Sequence, residues 1–385
     1  MKRLRNILTG VLLVAGFLMP AAVHADSIPA SRSGLEASID SIARHGETTS
    51  AEQEENTVDV KEIVFGHIGD SYEWHITDFG ETKVIIPLPV IVYSHTTGWH
   101  VFLSSRLEEN GGSYEGLSIA PEGSKYEGKL VEYDAAGNEV RPWDISITKV
   151  TLALLINSVL LLVIVLSVAR WYRKHPQGSA APGGFVGFME MFIMMVNDDI
   201  IKSCVGPKYR KFAPYLLTAF FFIFINNLMG LIPVFPGGAN VTGNIAITMV
   251  LAVCTFLAVN IFGTRTYWKD IFWPDVPWWL KVPVPMMPFI EFFGIFTKPF
   301  ALMIRLFANM LAGHMAMLVL TCLIFISASM GPALNGTLTV ASVLFNIFMN
   351  ALELLVAFIQ AYVFTMLSAV FIGLAQEEHK EEAAK

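Results

Sequence analysis

The sequence predicts an all-α polytopic membrane protein that carries a small exported β-rich N-terminal domain. The membrane part has about five transmembrane helices plus one interfacial helix, the last two long and tilted. Three observations carry that prediction. The 385 residues are 54 % hydrophobic and 15 % charged, with a mean hydropathy of +0.54, a combination rare in soluble globular proteins. Apolar stretches long enough to cross a bilayer recur after residue 148, whereas Val60 to Asp144 breaks into short runs. Lysines and arginines gather beside the apolar stretches, which reports topology and, with a net charge of -7, excludes a nucleic-acid-binding surface.

Residues 1–25 read as a signal peptide: Lys2, Arg3 and Arg5 precede an apolar core from Ile7 to Leu18, and Val23-His24-Ala25 offers a small-residue cleavage site. The exported region, 26–147, begins with a polar arm to about Val58 that has no apolar period. From Val60, runs such as KVIIPLPVIVYS and WHVFLSS, split by Gly and Asn-Gly turns, predict short strands. His67, His75, His95 and His100 have no metal-ligand spacing, and Cys204, Cys254 and Cys322 lie in or beside apolar segments, so no metal site or disulfide is expected. Gly123 to Lys129, GSKYEGK, mimics the start of a phosphate-binding loop. Leu130 replaces the hydroxyl residue that would hold magnesium, so no direct ATP chemistry and no cofactor are expected.

The membrane domain is placed at 148–378. Val150 to Ala169 spans and ends at Arg170, Arg173 and Lys174, which puts that end in the cytoplasm. Phe185 to Ile201, interrupted by Glu190, Asn197, Asp198 and Asp199, is expected along the cytoplasmic interface. Phe212 to Ile232 crosses outward, and Gly243 to Phe262 returns before Arg265, Lys269 and Lys281. Two long helices remain, about Val284 to Ile326 and Thr337 to Ala375, joined by a turn without basic residues. The tail, 379–385, is then cytoplasmic. At roughly 40 residues, or about 60 Å, each exceeds a hydrocarbon core near 30 Å and has to tilt strongly.

The candidate site lies on these two helices. A charge at mid-membrane costs roughly 3 kcal/mol, so Arg305 needs a purpose. Its guanidinium keeps its proton, and it can offer a fixed positive charge to a carboxylate but cannot relay a proton. At 100° per residue, Glu291, Lys298, Arg305 and Asn309 fall within about 40° of one another. Thr339, Ser342, Asn346, Asn350, Glu353 and Gln360 fall within about 80° on the second helix. With the turn at Pro332, Arg305 and Gln360 stand at one depth, roughly 28 residues from it, and His314 and Glu353 at another, roughly 20. His314 lies about 180° round the helix from Arg305. A histidine–carboxylate pair can exchange protons in the physiological range.

Within KPFALMIRLFANMLAGHM, the order Arg305, Leu306, Phe307, Asn309, Met310, Ala312, Gly313 resembles a signature of subunit a, the proton-channel stator of the bacterial rotary F-type ATP synthases. ELLVAFIQAYVFT, Glu353 to Thr365, resembles its partner helix, and the likeness extends from about Val150 to His379. The resemblance implies a non-catalytic subunit of the bacterial inner membrane, N-terminal region outside and C-terminus in the cytoplasm. It implies two half-channels that load and unload carboxylates of a c-subunit ring, coupling the proton gradient to rotation and ATP synthesis. Protons would enter past His314 and Glu353 and leave past Glu291. Arg305 would favour the ionised c-subunit carboxylate and block leakage, with Asn309 and Gln360 orienting it. Lys298, Asn227, Asn244, Ser342, Asn346 and Asn350 are possible channel-lining residues. The implied partners are the c ring, a b-subunit peripheral stalk and through it the ATP synthase head, besides membrane lipid. The competing class is a self-contained secondary transporter or ion channel, which usually shows repeated halves, and no internal repeat is present. The N-terminal region lies outside the resemblance; an assembly partner or a cap on the outer channel mouth are its two open roles.

Overall fold

The computed structural model describes residues 69–377, apart from 80–81, 122, 127, 135–136, 176–181, 233–234, 273–285 and 328–331. The expected signal peptide and polar arm, His67, Lys281 and the tail lie outside the described residues, as does the centre of the last turn.

The N-terminal part is built from short antiparallel strands. β1 (Glu73–Phe79) pairs with β2 (Thr82–Pro87), and β3 (Pro89–Ser94) lies between β4 (Gly98–Leu103) and β9 (Trp143–Asp144). A further sheet runs β5 (Ser113–Tyr114), β6 (Leu117–Ile119), β7 (Leu130–Tyr133), β8 (Glu139–Val140). A short helix, α1 (Ser105–Glu109), which the sequence reading did not anticipate, follows β4 and buries Leu107. Val90, Val92, Phe102, Leu107, Leu117, Leu130 and Tyr72 form one core. Burying each valine or leucine fully contributes roughly 1.5–3 kcal/mol. Gly123 to Lys129 joins β6 to β7, so it connects two antiparallel strands and has no strand-to-helix context. His100 Nδ1 lies 2.5 Å from Glu115 Oε2, and its Nε2 lies 2.6 Å from Thr97 Oγ1.

This region is fastened to the membrane part at its first helix, α2 (Lys149–Lys174). A helix start leaves backbone N–H groups without partners. Thr148 caps one of them, at Thr151, while Val150 N donates to Asp70 Oδ1 and Lys149 N to Ser71 O. Trp74 of β1 meets Phe235 edge-on at 5.1 Å.

Among the described residues, five helical stretches are long and apolar enough to cross a membrane: 149–174, 184–231, 245–262, 288–326 and 335–376. The second is composite. α3 (Gly184–Met194) widens into a π-helical segment, Met195–Lys202, then passes through a short break into α4 (Tyr209–Leu231). Inside the π segment Val196, Ile200 and Ile201 are buried, while Asp198 and Lys202 pair across one turn at 2.6 Å. Of the acidic residues that interrupt this stretch, Asp198 is thus matched by a cation on a helix whose other side packs inward.

α5 (Ile245–Phe262) leads into α6 (Arg265–Phe272), a short amphipathic helix that carries Arg265 and Lys269. The chain ends in a hairpin of α7 (Met286–Ser327, 42 residues) and α8 (Pro332–Gln376, 45 residues). α8 also packs on α4, and α7 on α5. Where α8 passes the Cys204 carbonyl, a Cβ at Gly373 would collide with backbone, so only glycine allows that approach. One apolar core, from Val150 through Phe220 and Leu306 to Ile372, binds these helices together.

Candidate functional site

The α7–α8 hairpin brings its polar residues together in two places. Near the middle, Gln360, 4 % exposed, donates from Nε2 to the backbone carbonyl of Arg305 at 2.6 Å. Arg305 is exposed on α7 and lines a shallow depression with Leu302, Leu306, Gln360 and Phe364. Asn309 is exposed one turn further on. The hairpin also exposes large apolar side chains, Phe296, Phe300 and Ile304 on α7 and Phe348, Leu352 and Leu355 on α8.

Toward the turn, His314 Nδ1 lies 2.7 Å from Glu353 Oε1, the carboxylate being 4 % exposed. The approach is close but its angles are not those of a hydrogen bond, so neither carboxylate oxygen has a hydrogen-bond donor among the described residues. An unsatisfied buried polar group costs about 1–3 kcal/mol, and more if charged. The other ring nitrogen of His314, Nε2, lies 3.2 Å from the Gly230 carbonyl at the end of α4. Gly313 makes this geometry possible: a Cβ there would stand 2.9 Å from Glu353 Oε1.

α4 and the loop after it frame the pair. Asn227, fully buried, donates to Ala357 O at 3.3 Å and accepts from Thr242 Oγ1 at 2.6 Å, tying α4 to α8 and to the loop. Asn240 sits in that loop with its Nδ2 unpartnered among the described residues. Asn244 is the N-cap of α5 and accepts from Ala246 N at 3.0 Å. Further toward the turn, Asn346 donates to Thr321 Oγ1 at 2.8 Å, bridging α8 to α7, and Ser342 is buried with an unpartnered hydroxyl. Asn350 is exposed and donates to the Asn346 carbonyl at 3.1 Å.

At the other end of α7, Lys298 and Glu291 lie apart from both groups. Lys298 is exposed and its ammonium lies 5.9 Å from the Phe371 ring. It lines a small cleft between α5, α6, α7 and α8, together with Thr255, Asn260, Tyr267 and Pro299. Asn260 Oδ1 has no partner among the described residues. Burial, and then the negative charge of Glu291, push the Tyr267 hydroxyl above its ordinary range, which places Glu291 beside this cleft.

Sequence reasoning missed Gly230, Asn240, Thr242, Asn260 and Tyr267. The first three sit in a loop and a helix end whose composition is ordinary for such places, and Tyr267 belongs to the unanticipated α6. Asn260, inside α5, and Asn157 and Asn226, bonded side chain to side chain at 3.0 Å between α2 and α4, did carry a signal, an amide inside an apolar span.

The comparisons decide the family. The sequence model of the ATP synthase A chain family matches residues 152–373, more than half of the chain and both halves of the hairpin. The chain belongs to the ATP synthase A chain family. It is 42 % identical over 251 residues to ATP synthase subunit a of Chlorobium phaeobacteroides, covering 63 % of this chain and 69 % of the relative. It is 44 % identical over 246 residues to ATP synthase subunit a 2 of Chlorobaculum tepidum, covering 62 % and 65 %. To ATP synthase subunit a of Myxococcus xanthus it is 39 % identical over 238 residues, covering 60 % and 73 %. A domain of unknown function (DUF8433) matches residues 63–145, the strand-rich part ahead of α2. As a subunit a family member the chain is a multi-pass membrane protein of ATP synthesis and proton transport, and family membership replaces the self-contained transporter as the working class.

Proposed function

We propose that this chain is the proton-channel stator of a bacterial rotary ATP synthase. It sits in the inner membrane with residues 26–147 outside and the C-terminus in the cytoplasm. The observation that carries the reading is the division of α7. Arg305 is presented outward on an apolar face, while His314, about 13 Å further along the helix, turns inward to a buried carboxylate.

Two half-channels follow from that division. From outside, protons reach His314 and Glu353 by way of the Asn240 loop and the end of α4. The pair takes and releases them, and they pass to a carboxylate on a c subunit running over the exposed face. On the cytoplasmic side they leave past Glu291 through the cleft of Asn260, Tyr267 and Lys298. Arg305 lies between the two paths. Its fixed charge favours the ionised form of each passing carboxylate and repels a proton moving straight across. Gln360 holds the backbone beneath it.

The energy comes from the gradient. One proton moved through 100 mV yields about 2.3 kcal/mol, so several are needed for each ATP. No residue here is assigned to nucleotide chemistry, which falls to other subunits; a peripheral stalk of b subunits holds the stator against the head.

Purification tests the assignment. Co-isolation of the chain with a c ring and an ATP-hydrolysing head is expected, and a stable solitary oligomer that transports a solute contradicts it.

A further inference from the structure

The sheet of β4, β3 and β9 is apolar on both faces. Its inner face supplies Val90, Val92 and Phe102 to the domain core. Its outer face faces no described residue that covers it, and register divides it into three rows. The row farthest from α2 is aromatic, since Tyr93 pairs with Trp99 on one side and with Trp143 on the other. Next comes an aliphatic row, in which Ile91 pairs with Val101 and its carbonyl accepts from Ile145 N. Nearest to α2, Pro89 pairs with Leu103 and accepts from Ile147 N. No charged residue stands in any row. Trp99 is 62 % exposed, Val101 71 % and Trp143 68 %, far more than single surface apolar residues require.

The order of the rows relative to the membrane identifies the occupant. Ile147 is followed directly by Thr148, the N-cap of α2, so no linker separates the sheet from the span. At about 3.3 Å per residue the aromatic row lies about 13 Å along the strands from the row nearest α2. Aliphatic rows next to the hydrocarbon and a Trp–Tyr–Trp row above them is the order in which these side chains partition across a bilayer boundary. The helix that follows, α2, itself exposes apolar side chains at Leu155, Val159 and Val163.

We propose that the outer face of this sheet rests against the membrane, the two aliphatic rows at the acyl boundary and the aromatic row among the headgroups. The strand-rich region is then a membrane-resting foot that sets the height and tilt of α2. The inference needs only that α2 crosses the bilayer. It is independent of the direction of proton flow and of Arg305.

Nitroxide accessibility tests it in the full-length chain in phosphatidylcholine–phosphatidylglycerol nanodiscs, with Cys204→Ala, Cys254→Ala and Cys322→Ala as background. Labels are placed at Val101→Cys and Leu103→Cys, with Glu109→Cys as a water-exposed reference. Oxygen should be favoured over a nickel chelate several-fold more at 101 and 103 than at 109. Equal ratios at all three sites would mean that the face lies in water, and protection from both reagents would mean that protein covers it, whether residues 26–68, another subunit or a second copy. Either result overturns the proposal. Brominated lipids give a check that needs no label: they should quench tryptophan emission, and the quenched fraction should fall in a Trp99→Phe, Trp143→Phe variant. An unchanged fraction would count against the proposal equally.

Discussion

His314 and Glu353 touch at 2.7 Å across the α7–α8 hairpin, and the space for that contact is made by the missing side chain of Gly313. A methyl group at 313 would press on Glu353 Oε1 and drive the carboxylate away from the ring. Gly313→Ala is therefore expected to lower proton flux clearly while costing only about 1 kcal/mol of stability. Passive proton uptake into energised vesicles, compared at equal content of assembled complex, is the measurement; unchanged flux would mean that the pair is not on the path.

If the pair works as a unit, its two positions should be interchangeable to a degree. His314→Glu and Glu353→His are each expected to impair pumping severely, because each leaves two like groups facing one another in a buried site. The double exchange should recover activity beyond either single variant. A double-mutant cycle on pumping rate reads this directly, and additive losses would argue that the two residues act independently.

Gln360 holds the Arg305 backbone from the neighbouring helix. Gln360→Leu removes that hydrogen bond with little change in volume, and the expected loss is about 0.5–1.5 kcal/mol of local stability. Hydrogen exchange at amides of α7 around Arg305 should quicken, with pumping reduced but present. Unaltered exchange would show that the bond does not restrain the helix.

In the strand-rich region, Tyr72 OH donates to Asp144 Oδ2 at 2.5 Å and accepts from Leu130 N at 3.3 Å. Burial first, and the Asp144 charge second, hold its pKa well above the usual tyrosine value. The stability that this raised pKa confers is complete below about pH 10, where an unfolded tyrosine begins to ionise, and is lost as pH rises through the higher folded value. Proteolysis of residues 88–140 in the intact chain should therefore accelerate above about pH 10. Tyr72→Phe should flatten that dependence and destabilise the region by about 1–3 kcal/mol at neutral pH by leaving Asp144 short of a donor.

The hairpin was legible in the sequence because polar side chains in apolar helices are costly and therefore sparse, so their spacing carries information. Counting from Pro332 pairs Arg305 with Gln360 and His314 with Glu353, and the same two pairs meet in the structure, although Gln360 reaches the arginine's backbone and not its guanidinium. What was not legible depends on partners far apart in sequence. Thr242 serves Asn227, and Gly230 serves His314, through contacts that no helical period encodes. The run KVIIPLPVIVYS suggested strands, but its unbroken apolar character hid the register. A sheet that is apolar on both faces gives no alternation to read.

The most direct test of the central claim is ATP-driven acidification of inverted membrane vesicles carrying Arg305→Ala, with the assembled complex quantified in the same preparation. The expected result is loss of pumping with assembly intact, accompanied by faster passive proton leakage, because the fixed charge between the half-channels is gone. Pumping at the normal rate would contradict the account, since no other cation in the hairpin stands beside Gln360 to replace it among the described residues.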